Sequence, residues 1–301
     1  MSLPSATGRE AAMRRRTQLF VPANKPAFLR KAAASGADAV ILDLEDSVPV
    51  EQRDIARSSL KEAVATLRET QSSLHVLVRV NSDQSLAADV DAAVAAGADG
   101  LLAPKVESAE QVRMVADLLH EAEVGHGIDV GLTEVQLLVE SPRGILALPA
   151  IADAGERTVA LMLGIEDLSV ELEIDPRSPD FDVRWAHGPL VCAARAFGLA
   201  PYGLMGSLAN FSDPAALARD AVQARAFGYV GALCIHPLQV DVLNDAFSPS
   251  PEEVAEASAM LQAVDEGERA GTSAVRYNGR MVDTPMAHRA QRLLARAGRA
   301  T

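Results

Sequence analysis

Two carboxylates, Glu140 and Asp167, each stand just past a short apolar run. Val135 to Val139 leads into Glu140, and Val159 to Leu163 leads into Gly164 and then Asp167. Between the runs, residues 143–154 carry the apolar spacing of a helix. A strand–helix–strand unit makes its strands parallel with a right-handed crossover, so both carboxylates emerge at the same end of one sheet. Two hard oxygen ligands side by side hold Mg2+ or Mn2+ and leave positions open for water and substrate. Taken alone, such a pair is more often two solvated loop acids. Its surroundings favour the metal reading.

Eight apolar runs recur along the chain, each followed by a helical pattern. They begin at Leu19, Ala39, His75, Gly100, Val135, Val159, Pro201 and Gly231, and the seventh (201–208) is the weakest. Runs this continuous are strands buried on both faces, as in a parallel sheet. Eight such repeats in 301 residues predict an α/β fold, a (β/α)8 TIM barrel. Polar residues collect where the strands end: Glu45 and Asp46, Arg79, Lys105 and Glu107, Glu140, Asp167, His236. In this architecture the strand C-termini build the active site. Asp175 to Phe181, with Pro176 and Pro179, reads as an irregular insertion that covers it.

The expected organisation is a disordered leader at 1–13, the barrel at 14–248 and a C-terminal helical arm at 249–301. In the arm, Ser250-Pro251-Glu252-Glu253 starts a helix, Tyr277-Asn278-Gly279 marks a hairpin-like link, and Asp283 precedes a last amphipathic helix. Composition narrows the function. Lys and Arg number 28 against 41 Asp and Glu, a net charge of −13, which excludes nucleic acid as the main partner. Residues are 49% hydrophobic, yet no apolar run approaches the ~20 residues that span a bilayer. No secretory leader is expected at the N-terminus. Cys192 and Cys234 fit neither a ligand spacing nor a disulfide framework and read as buried thiols in a reducing cytoplasm.

The motifs RTQLFVPANK, ADAVILDLEDSV, VLVRVN, APKVES, VESPRG, GIEDLS, ALCIHPLQV and GRMVDTP follow one another in order. Together they resemble the citrate lyase β-subunit-like CoA-ester lyases of the HpcH/HpaI aldolase/citrate lyase superfamily, a group that also holds malyl-CoA and citramalyl-CoA lyases. The resemblance covers nearly everything from Arg16 onward. It implies a Mg2+-dependent lyase that cleaves or forms a carbon–carbon bond in a 3-hydroxyacyl-CoA, giving an acyl-CoA and a 2-oxo acid. It also implies a cytoplasmic homo-oligomer, a trimer, whose arm lies over a neighbour's active site.

Position by position, the resemblance makes Glu140 and Asp167 the metal ligands. Arg79, with Glu45 and Glu140, binds the substrate. Asp283 is the acid/base delivered by the adjacent subunit. Arg16, Phe20, Asn24, Lys31, Ile235 and His236 contact CoA, and backbone N–H groups after Pro142 hold the substrate carboxylate. The plainer readings are a rim salt bridge from Arg79 to Glu45, a solvated Lys31, a packed His236 with no acid/base role, and a helix cap at Asp283. The chain departs from the family at Ala23, at Ser141-Pro142, and above all at Tyr202 and the run after it, where an acidic residue is usual. The alternatives are a CoA-independent 2-oxo-acid aldolase, a thioesterase or malate-synthase-like variant, and a non-catalytic subunit. The arm and the basic start at Arg16 and Lys31 speak against the first; the intact Glu140/Asp167 pair speaks against the last.

Overall fold

A computed structural model describes residues 6–175, 178, 182–209, 212–269 and 275–297. Eight parallel strands follow one another around a ring: β1 (Thr17–Pro22), β2 (Ala39–Asp43), β3 (His75–Arg79), β4 (Gly100–Ala103), β5 (Glu134–Val139), β6 (Thr158–Leu163), β7 (Ala200–Tyr202) and β8 (Ala232–Cys234). β8 pairs with β1, and an isolated Tyr202↔Gly231 bridge joins β7 to β8, completing the barrel. The strands form where the sequence runs continuously apolar; every residue of β2, β5 and β6 is buried.

The helices between them are α2 (Pro26–Ala33), α3 (Arg53–Thr70), α4 (Leu86–Ala95), α5 (Ala109–His126), α6 (Pro142–Asp153), α7 (Ile165–Glu171), α8 (Arg184–Ala196) and α9 (Pro214–Phe227), with α10 (Leu238–Phe247) after β8. Their ends obey local chemistry. Ser108 and Gln111 form a reciprocal capping box on α5, and Asp213 caps α9 ahead of Pro214. β7 ends at Tyr202, well short of the expected 208. Pro176, Pro179 and Phe181 of the expected covering insertion lie outside the described residues.

Two expectations are corrected. Residues within the predicted disordered leader form a helix, α1 (Ala6–Ala12), across the N-terminal end of the barrel. Ala12 is fully buried among Val159, Tyr202 and Val230. Arg9 donates to the carbonyls of Thr158 (3.2 Å) and Phe197 (3.0 Å), and the Tyr202 hydroxyl donates to Ala12 O. The carbonyls of Thr158 and Phe197 at the barrel floor thus find a donor in Arg9, which composition alone does not reveal. The second correction is Cys192, which is exposed on α8; only Cys234 is buried.

The chain divides into two compact units, residues 1–244 and 245–301. In the second, α11 (Pro251–Arg269) packs on α12 (Thr284–Ala297), joined by a hairpin of β9 (Val275–Tyr277) and β10 (Arg280–Val282). Asn278 and Gly279 turn that hairpin at φ 47° and 76°, the left-handed pair that a two-residue hairpin needs. No described helix is long and apolar enough to cross a membrane.

Candidate active site

The C-terminal ends of the strands enclose a cavity of about 480 Å3. Glu140 follows β5 directly and is 5% exposed. Its Oε1 accepts the Lys105 backbone N–H at 2.8 Å. β6 lies alongside with Val139 opposite Leu163, which sets Glu140 beside Gly164. A Cβ on Gly164 would sit 2.5 Å from Glu140 Oε2, so only glycine leaves room for this carboxylate. Asp167 comes three residues later in the first turn of α7 and lines the same cavity. Burial, reinforced by the Asp167 carboxylate, pushes the Glu140 carboxyl up to about 8, although the Lys105 N–H opposes the rise.

Arg79 ends β3 and faces Asp43, its register partner at the end of β2. The guanidinium grips Asp43 as a fork, Nε to Oδ1 at 2.6 Å and Nη2 to Oδ2 at 2.7 Å. Nη1 donates to Asp46 at 2.9 Å and lies 3.1 Å from Glu45 Oε2. The Phe20 ring sits beneath, 4.7 Å from the guanidinium carbon. Asp43 is 1% exposed and also accepts from Ser47 and from the Glu45 N–H. Burial alone would raise its carboxyl, but the Arg79 fork and these donors hold it below the ordinary aspartate value. Glu45 moves the other way, raised by burial despite Arg79 and Lys105.

Lys105 links the two groups. Its φ of 52° is a left-handed backbone that a lysine rarely adopts. That turn aims its N–H at Glu140 while Nζ reaches Glu45 Oε1 at 2.6 Å. Sequence reasoning missed Asp43 as part of the site and placed Lys105 at a strand end without giving it a role. Of the described residues lining the cavity, five are carboxylates (Asp43, Asp46, Glu140, Glu166 and Asp167) and one, Arg79, is a cation. Among the described residues no group of three or more His, Cys, Asp or Glu stands in metal-holding geometry. Glu140 and Asp167 line the cavity together, and two adjacent carboxylate donors suit a divalent cation.

The remaining expected residues divide. Phe20 and Ile235 line the cavity. Asn24 lies in the loop after β1 and donates to Gln52 at 2.6 Å. His236, after β8, accepts the Leu238 N–H on Nδ1 at 3.2 Å, a local turn bond. Lys31 is exposed in the last turn of α2, outside the lining. Arg16 does not join them. It immediately precedes β1, at the opposite end of the barrel, and forks Asp38 at 2.8 and 2.9 Å; a residue before a strand cannot reach the rim where the strand ends. At the helix start after Pro142, the Ser141 hydroxyl accepts the Gly144 N–H at 3.1 Å. In the second unit Asp283 is exposed and caps α12, accepting the Met286 N–H at 2.9 Å.

Comparison with known proteins gives these observations a context. The model of the HpcH/HpaI aldolase/citrate lyase family matches residues 16–237. The citrate lyase subunit beta of Leuconostoc mesenteroides subsp. cremoris is 31% identical over 280 residues, spanning 93% of this chain and 92% of the relative. An L-malyl-CoA/beta-methylmalyl-CoA lyase of Cereibacter sphaeroides is 32% identical, with 94% of each chain covered. Among solved structures, CitE from Mycobacterium tuberculosis in complex with magnesium, acetoacetate and coenzyme A superposes with a TM-score of 0.75 at 32% identity, covering 95% of this chain and 98% of that one.

Proposed function

The chain belongs to the HpcH/HpaI aldolase/citrate lyase family, and on that premise we propose that it is a carbon–carbon lyase of CoA esters. Its reaction is the reversible cleavage of a 3-hydroxyacyl-CoA, such as malyl-CoA or citramalyl-CoA, into an acyl-CoA and a 2-oxo acid. The observation that carries this reading is the placement of Glu140 and Asp167 in one cavity with Arg79. Glu140 and Asp167 would hold Mg2+, and the ion would stabilise negative charge on the oxygen next to the carboxylate of the oxo acid.

Arg79 binds and orients that end of the substrate. Its guanidinium is already fixed by Asp43, Asp46 and the Phe20 ring, so little reorganisation is needed as charge develops. Lys105 keeps Glu140 and Glu45 at their stations from a single backbone position. Phe20, Asn24, Lys31, Ile235 and His236 are proposed to meet the CoA portion. Asp283 is proposed as the acid/base that moves the proton on the acyl carbon, serving the barrel of a neighbouring copy in a homotrimer.

The test is a matrix of acyl-CoA thioesters and 2-oxo acids incubated with the protein and Mg2+, with products identified by mass. A condensation product that disappears with excess chelator supports the reading. Condensation of free 2-oxo acids without any CoA ester would favour the CoA-independent aldolase, and turnover of nothing in the matrix would remove the lyase assignment.

A further inference from the structure

Gln111 and Gln239 each fold back on the start of their own helix. On α5, Gln111 Oε1 accepts the N–H groups of Glu107 at 2.7 Å and Ser108 at 3.1 Å. On α10, Gln239 Oε1 accepts those of Ile235 at 2.8 Å and His236 at 3.1 Å, at the same offsets of four and three residues. That much is ordinary helix-start chemistry. Gln239 does more. It is 1% exposed, and its Nε2 donates to Leu208 O at 2.9 Å, in the segment after β7. The residue before Leu208 is anchored on the other side, where Ser207 Oγ donates to Glu166 in the first turn of α7. The segment after β7 is thus pinned to the elements that follow its two neighbours, β6 and β8.

Building on the lyase reading above, in which Ile235 and His236 meet the CoA portion, we propose that Gln239 is a positioning residue for CoA. Its oxygen orders the backbone of that pair, and its N–H group braces the same turn against Leu208. Leu208 and Ile235 both line the cavity, so the brace sets the spacing between two of its lining segments. A backbone ordered before the ligand arrives spares binding the cost of ordering it. Solvent does not make good a buried bond that has lost one partner. The residues assigned to the metal and the oxo acid are held by other means: Arg79 by Asp43 and Asp46, Glu140 by the Lys105 N–H. Loss of the Gln239 brace therefore falls on CoA and spares the oxo acid.

The probes are CoA and pyruvate, each titrated calorimetrically into the full chain with Mg2+ present. Gln239→Glu keeps an acceptor for the two N–H groups, as glutamate does at helix starts, and loses only the donor to Leu208 O. Gln239→Met, similar in length, loses all three bonds and adds no charge. Both variants are expected to weaken CoA binding roughly threefold to tenfold and to leave pyruvate within about twofold. An unchanged CoA affinity in either folded variant overturns the proposal; if only Gln239→Glu loses affinity, the added charge is the cause. An equal loss for both ligands also overturns it, because the cavity as a whole would then have loosened. If neither variant folds, Gln239 is a structural residue and the proposal falls. If the unaltered chain fails to bind either probe with Mg2+ present, the lyase reading itself fails and takes this one with it.

Discussion

Glu140 is a buried carboxylate with another carboxylate beside it and one backbone N–H for support. Removing either member of such a pair relieves repulsion, so Glu140→Ala and Asp167→Ala are expected to keep the fold, judged by circular dichroism, and to lose turnover in the product assay. Retained activity of either variant in excess chelator would sink the metal assignment. Asp43 behaves differently because its partner is a buried cation. Asp43→Asn is expected to cost about 2 kcal/mol of stability in urea titrations. It should also lower kcat/KM through a misoriented Arg79, while Asp43→Glu restores part of both. An unchanged rate would mean that Asp46 and Glu45 position Arg79 unaided. Asp43 was hidden in the sequence because DLED offers three acids in a row of four. Choosing among them needs the register between β2 and β3, and that register, Asp43 opposite Arg79, is set by tertiary packing.

At the scale of elements, the barrel's two ends are built for different purposes. The strand C-termini hold the site, while the N-terminal end is sealed by α1 and by a buried network in which Arg15 forks Glu134 at 2.6 and 3.0 Å and His75 Nε2 lies 3.0 Å from the same carboxylate. Burial works against an ionised Glu134, but His75 and Arg15 together hold its carboxyl at about 2, against an ordinary 4.5. A folded-state value below the unfolded one stabilises the protein above pH ~4.5 and loses that contribution as pH falls towards about 2, roughly 3 kcal/mol in all. Unfolding titrations across that window should show the loss, and Glu134→Gln should be less stable at pH 7 yet flatter below pH ~4.5. An equal slope in both proteins would assign acid unfolding to other groups. Deleting residues 1–12 removes Ala12 and the Arg9 and Tyr202 bonds together. A loss of roughly 3 kcal/mol is expected, about 6–12 °C in Tm by differential scanning calorimetry; an unchanged Tm would make α1 incidental. The strands were legible because continuous apolar runs admit few other readings. A seven-residue helix is too short to announce itself by periodicity, and its donors' partners lie more than a hundred residues away.

For the whole molecule, eight repeats in a chain of this length leave a barrel as the natural closure, whereas the partner of an apolar helix face is not written in the face itself. α12 buries Ala290 and leaves Asp283 exposed at its N-terminus, and the proposal that Asp283 serves another copy has a direct check. Asp283→Asn should keep metal binding and lose ~10²–10⁴-fold of the proton-transfer rate. Mixed with Asp167→Ala under conditions that exchange subunits, it should recover part of the activity, and sedimentation should give a trimer. Demonstrated exchange with no recovery would confine Asp283 to its own chain. One feature of the ring bears on what such an enzyme can become. Every neighbouring strand pair shares at least three paired residues, except β7 and β8, which meet at a single bridge. The hydrogen bonds from Val230 to Pro201 and from Gly203 to Gly231 are the stitching of this one loose seam. Their amides are expected to exchange with deuterated solvent before those of β2 to β6. Gly203, at this seam, lines the same cavity as Glu140 and Asp167. Easing this one joint would reshape the cavity from the side where the ring is held by the fewest bonds.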